Sequence, residues 1–137
     1  MIDKFEGQYD FLSNFYPHPI SNGILTFPTN EHYFQAMKTV KQEDRLAIAR
    51  AATPGQAKRM GREVDLRADW EDIKLQVMET AIRIKFSDPE LAAKLIATGN
   101  EELVEGNWWH DTFWGVCEGV GENHLGKLLM KVRADIR

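Results

Sequence analysis

Glu31, Gln35 and Lys38 stand at positions i, i+4 and i+7 of the segment Glu31-His32-Tyr33-Phe34-Gln35-Ala36-Met37-Lys38. With 3.6 residues per turn, a helix here stacks a carboxylate, an amide and an ammonium on one stripe. Turned inward, that stripe is an acid–base site. Turned to solvent, it is a polar face on which Glu31 only favours the N-terminal end of the helix dipole. A second cluster runs Glu105-Gly106-Asn107-Trp108-Trp109-His110-Asp111-Thr112-Phe113-Trp114-Gly115. Two carboxylates and three indoles in a short non-helical stretch suit a pocket wall, because an indole stacks on a flat heterocycle while Asp111 can move a proton. Core packing accounts for Trp108 or Trp109. Trp114, next to Gly115, is the expected ligand platform.

The third cluster, Gly119-Val120-Gly121-Glu122-Asn123-His124-Leu125-Gly126, leads a glycine loop into the last helix. His124 replaces the third glycine of the dinucleotide-binding pattern and the chain ends before an acidic ribose ligand, which excludes a Rossmann unit. Backbone N–H groups at that helix start, with Asn123 beside them, attract a phosphate or a sugar oxygen, or else form a plain capped loop. His18, His32, His110 and His124 are scattered without the i, i+4 pairing of a zinc helix, and Cys117 is the only cysteine. No metal and no cofactor is therefore expected, and Cys117 reads as a small core residue.

The elements that must position these groups follow from caps and periodicity. Asn22-Gly23 between Ile20 and Ile24-Leu25 marks a hairpin. Thr29-Asn30 caps a helix over about 31–40, a second helix covers about 43–52, and Thr53-Pro54 opens a third that Gly61 closes. Apolar residues spaced by three and four from Trp70 to Ile84 predict the longest helix over 69–86. Asp88-Pro89 opens another that Gly99 ends. Leu103-Val104 and Thr112 to Cys117 are expected strands, and a final helix spans about 122–135. The expectation is one domain over 1–137, α+β and mainly helical, with small antiparallel β elements formed from both ends of the chain.

At 137 residues with 43% hydrophobic content, the chain is long enough for one globular core. Its net charge of −4 argues against a general nucleic-acid or anionic-membrane surface. The start of the chain lacks a basic, then apolar, leader and no apolar run is long enough to span a bilayer, so a cytoplasmic protein is expected. Charge is unevenly spread: Ala36–Arg62 carries seven basic residues against two acidic, whereas Glu101–Arg137 carries seven acidic against four basic. Either these are solvated helix faces, or the basic segment faces 105–115 across one cleft and holds a phosphate-bearing substrate.

Taken together, these segments resemble the YbiA-like, or NADAR, superfamily, a family of riboflavin-intermediate N-glycosidases that also includes enzymes linked to ADP-ribose. The resemblance rests on Phe11-Leu12-Ser13-Asn14-Phe15-Tyr16-Pro17, Glu31 to Ala36 with Lys38, Ala57-Lys58 with Gly61-Arg62, and Asp69-Trp70. It continues through Met78, Lys85-Phe86, Thr98-Gly99, Leu103-Val104-Glu105, Asp111 with Trp114-Gly115, Gly121-Glu122-Asn123, Leu125-Gly126, Leu129-Met130 and Arg133. It implies a YbiA-like fold and cleavage of a C1′–N bond between ribose and a base or arylamine, most simply in phosphoribosylamino-pyrimidine intermediates of riboflavin biosynthesis. Such a bond breaks through an oxocarbenium-like state that a carboxylate stabilises while an acid protonates the leaving nitrogen. Glu31 and Asp111 are the candidates, and Lys38 either contacts the ribose electrostatically or forms a Schiff base with its opened form. Lys58, Arg62 and Arg133 would grip a phosphate, Asn14 and Gln35 the sugar hydroxyls, Trp114 the base, and Trp70, Glu105, Gly115 and Asn123 further parts of the substrate. Two other functions fit the resemblance: hydrolysis of ADP-ribosyl-guanine in DNA, the one reading with a nucleic-acid partner, and non-catalytic sensing of ADP-ribose or a related nucleotide. The expected partner is otherwise a small phosphorylated ribosyl compound and no membrane.

Overall fold

Three helices begin where a short polar side chain can accept an N–H that the first turn leaves unpaired. Thr29 accepts from the His32 N–H, Thr53 from Gln56 and Asp88 from Leu91, and proline follows directly at 54 and 89. The computed structural model describes residues 1–137 and separates into two units, Asn14–Lys85 and a second made of Met1–Ser13 with Phe86–Arg137.

In the first unit, Asn22 turns the chain between β1 (Ile20–Ser21) and β2 (Thr26–Phe27), which pair antiparallel as Asn-Gly predicts. The Asn22 side-chain oxygen accepts from the Ile24 and Leu25 N–H groups at 2.9 and 2.8 Å, and Gly23 takes φ 89°, open to glycine without strain. Four helices follow: α1 (Asn30–Ala36), α2 (Gln42–Ala49), α3 (Pro54–Gly61) and α4 (Trp70–Lys85). Every residue of α1 is buried, and the helix packs against α2, α3, α4 and β2. Phe27 meets Tyr33 edge-on at 5.6 Å and Phe34 meets Trp70 at 5.1 Å, so aromatic rings fill the layers on which α1 rests.

The second unit carries a 3₁₀ turn at Gly7–Leu12, α5 (Pro89–Ala97), β3 (Gly106–Asn107), β4 (Val116–Cys117) and α6 (His124–Ile136). Phe11, Phe86, Leu91, Leu95, Leu103, Leu125, Leu129 and Val132 make its core. Ile2 near the start of the chain forms an isolated parallel bridge to Leu103, so no sheet is shared between the two ends of the chain.

Several sequence expectations change in detail. Leu103-Val104 forms only that bridge, the strand expected over 112–117 shrinks to Val116–Cys117, and β3 and β4 pair parallel rather than antiparallel. The 3₁₀ turn carried no periodic signal. α1 stops at Ala36, short of residue 40, because Lys38 and Thr39 donate to Gln35 and Ala36, three residues back, and tighten the last turn. Gly61 does not close α3 by a left-handed turn. It is helical, and what it provides is room: a Cβ there would lie 1.9 Å from Gln35 Oε1.

Candidate active site

The stripe Glu31, Gln35, Lys38 turns inward. Glu31 is 8% exposed and Gln35 3%, whereas Lys38 is half-buried. Glu31 is fixed from two sides, by the helix that carries it and by its N–H, which donates to the Asn14 carbonyl at 3.0 Å. Asn14 is in turn held by its side chain, which donates to Met78 Sδ at 3.5 Å and accepts from Asn30 Nδ2 at 3.4 Å. Asn14 thus shapes the start of α1, a use the sequence reading did not foresee for it.

Two buried acceptors on α1, Asn30 Oδ1 and Gln35 Oε1, have no hydrogen-bond partner. Such atoms cost free energy in a folded interior. His32 is the opposite case. Its ring bonds Thr29 Oγ1 through Nδ1 at 2.8 Å and the Ala51 carbonyl through Nε2 at 3.0 Å, and burial pulls its pKa below the usual histidine value. It ties α1 to the end of α2 as a neutral ring.

Lys38 follows the last turn of α1, with its Nζ 5.7 Å from the centre of the Phe34 ring. Burial is the first cause of a lowered ammonium pKa, Glu31 opposes that, and Arg62, Lys58 and Lys74 lower it further by repulsion. Lys58 is half-buried near the end of α3, and Arg62, the exposed residue after it, follows Gly61, which is pressed onto Gln35. Trp70 is 5% exposed and packed on Phe34, so in this structure it is a core ring rather than a substrate surface.

Sequence reading passed over Lys74 and Lys85. Both fall on the apolar stripe Trp70, Met78, Ala81, and a lysine on such a stripe was the available signal. Lys85 is 2% exposed, its Nζ 5.2 Å from the Tyr16 ring centre.

In the second unit the expected site residues are largely committed to the backbone. Asn107 Nδ2 donates to Glu105 Oε2 and to the Asp111 carbonyl, while its oxygen accepts the Asp111 N–H. Asp111 Oδ1 accepts from the Phe113 and Trp114 N–H groups at 3.2 and 3.0 Å, an Asx turn that leaves Oδ2 outside the turn. Trp114 is half-buried and edge-on to Phe113 at 4.8 Å, whereas Trp108 and Trp109, one of which was expected in the core, are both exposed, at 79% and 43%. Gly115 is required sterically: a Cβ would collide with the Glu105 carbonyl oxygen, a backbone atom that cannot swing away.

Two assignments are corrected. Asn123, left-handed at φ 54° and 7% exposed, accepts from the Glu105 N–H and donates to the Leu103 carbonyl, so its amide holds the chain rather than a ligand. The N–H groups at the start of α6 are spent as well: Glu122, Asn123, His124 and Leu125 donate to Thr112, Gly115, Phe113 and Trp114. Arg133 is 4% exposed and donates to Thr98 Oγ1 at 2.8 Å inside this unit rather than to a surface ligand, while its buried Nε has no hydrogen-bond partner.

The NADAR domain family model matches residues 2–137. The N-glycosidase YbiA of Escherichia coli (strain K12) is 44% identical over 132 residues, covering 93% of this chain and 82% of that protein. The chloroplastic riboflavin biosynthesis protein PYRR of Zea mays is 43% identical over 144 residues, which cover 91% of this chain and 23% of that longer protein. Among solved structures, the NMR structure of the E. coli protein YbiA superposes with a TM-score of 0.87 at 42% identity, over 99% of this chain and 84% of that one.

Proposed function

The chain belongs to the NADAR domain family and is an N-glycosidase of it, and from that premise we propose that it hydrolyses the C1′–N bond of phosphoribosylamino-pyrimidines. The observation that carries this reading is α1, a buried helix that holds Glu31 in place and sets the Lys38 amine among cations suited to a phosphorylated ribosyl compound. A relative named for riboflavin biosynthesis supports the pyrimidine.

Cleavage requires positive charge to develop at C1′ and a proton to reach the leaving nitrogen. A carboxylate fixed at Glu31 lowers the energy of that charge, an acid delivers the proton to the leaving nitrogen, and water then bonds C1′ and gives up its proton. Alternatively the ribosylamine opens to an imine. The neutral Lys38 amine then adds to C1′, the leaving amine departs with a proton, and water hydrolyses the Lys38 imine. The lowered Lys38 pKa supplies more neutral amine near neutral pH, which favours this second route.

The test is mass spectrometry of the protein with a phosphoribosylamino-pyrimidine, with ADP-ribosyl-guanine DNA and with ADP-ribose, borohydride being added during turnover. Release of the free pyrimidine by catalytic amounts of protein is expected, with a reduced ribosyl adduct on Lys38. Turnover without an adduct removes the imine route. Turnover of the DNA alone replaces the substrate, and stoichiometric binding of ADP-ribose without turnover replaces the enzyme with a sensor.

A further inference from the structure

α1 stops at Ala36, two residues before Lys38, so no regular helix fixes the backbone that carries this amine. Other contacts do. The Lys38 N–H donates back to the Gln35 carbonyl at 3.2 Å, and the Lys38 carbonyl accepts the Arg67 N–H at 2.8 Å. The next carbonyl, that of Thr39, accepts the Arg45 Nε–H at 2.8 Å. Thr39 itself is fully buried, and its Oγ1 accepts the Lys41 N–H at 3.2 Å. Among these ties, Arg45 alone reaches in with a side chain from another helix, α2.

The Arg45 guanidinium is half-buried and no carboxylate is paired with it. Taking a cation partly out of water costs free energy, which a charge-assisted bond to a carbonyl just past the C-terminal end of α1, the negative end of its dipole, offsets. We propose that Arg45 is a positioning residue: by holding the Thr39 carbonyl it fixes the turn that carries Lys38, and with it the direction from which the Lys38 amine meets the sugar. The inference rests on the role given to Lys38 above. Arg45 acts through the backbone and touches no substrate. A displacement of about 1 Å at a reacting group can lower a rate by up to roughly 10²-fold, so a loosened turn is enough to be felt. The amine lies 5.7 Å from the centre of the Phe34 ring, and any shift of the turn also moves it relative to that ring.

Reductive methylation of the whole protein with ¹³C-formaldehyde labels its lysine amines for NMR, and the signal absent from a Lys38→Arg sample belongs to Lys38. The Phe34 ring should displace that signal from those of exposed lysines. Arg45→Met deletes the donor and should move the signal toward the exposed lysines, while kcat on a phosphoribosylamino-pyrimidine falls about tenfold and KM stays within about twofold. Arg45→Gln keeps an N–H donor at the same place along the side chain and should restore both. A Lys38 signal unmoved in Arg45→Met overturns the proposal, as does native kcat there, or a glutamine variant as impaired as the methionine one. A lower melting temperature with signal and kcat intact makes Arg45 a stabilising residue only and overturns it too. Should Arg45→Met not fold, Arg45→Lys decides instead, since it keeps the charge but puts a methylene where the Nε–H stood. It should shift the signal and lower kcat, and a native value of either rejects the proposal. A protein that cleaves no ribosylamine but whose Lys38 signal depends on Arg45 keeps this inference and loses the reading of the reaction. One that cleaves ribosylamines with Arg45 silent does the reverse.

Discussion

Two polar regions of this chain were equally rich in chemistry as sequence, and the fold uses them in opposite ways. On α1, buried acceptors at Asn30 and Gln35 stay without partners and the Lys38 ammonium rests over an aromatic ring. In 105–123, Asn107 and Asp111 bond nearby backbone groups and Asn123 bonds the backbone of Leu103 and Glu105. A buried polar group that closes a loop holds a shape, and one left open on a rigid helix holds a capacity to bind. Residue type does not separate the two cases, since asparagine serves in both.

The sharpest way to break this contrast is Glu31→Gln. It keeps the volume and the backbone bond to Asn14, so the melting temperature should move little while kcat falls roughly 10²-fold or more. Native kcat in the glutamine variant, measured with substrate saturating, would return Glu31 to the structural class. Asn123→Ala should behave in reverse. It strips partners from the Glu105 N–H and the Leu103 carbonyl and puts alanine at φ 54°. About 2 kcal/mol of stability should go, or roughly 6 °C in Tm by calorimetry, with kcat per folded molecule intact. If kcat drops in that variant while Tm holds, the loop is more than a strut.

The smallest effect sharpens the contrast inside α1, where His32 is the satisfied exception. Its folded pKa lies below the unfolded value of about 6.5, so the unfolded chain binds the extra proton first. Stability is fully present above that value and falls as pH drops below it, by at most about 1.4 kcal/mol per pH unit for one group. Denaturant midpoints between pH 7 and 5 should show this slope, and His32→Gln should flatten it. An unchanged slope in the variant assigns the acid sensitivity to another group.

Much of the framework could be read because its signals are local. Asn22-Gly23, the caps at Thr29, Thr53 and Asp88, and the prolines after two of them act within four residues, and each element they announce is present. The inward turn of Glu31 and Gln35 was open from sequence, since periodicity names a stripe but not what lies across from it. The parallel pairing of Gly106 with Val116, the left-handed Asn123 and the contact of Gly61 with Gln35 depend on partners far along the chain.

The two units also differ in how the chain supplies them. Asn14–Lys85 is one uninterrupted stretch, whereas the other unit is assembled from Met1–Ser13 and Phe86–Arg137. On a ribosome that emits the N-terminus first, the stretch bearing α1 can collapse on near neighbours, while Ile2 waits for Leu103 to be synthesised before it can bridge it. The ends of that wait are separated by a long loop, whose closure costs entropy that grows slowly with its length. Prior folding of the intervening segment shortens the effective loop, so the helix that carries Glu31 and Lys38 also helps to bring Ile2 within reach of Leu103 in time.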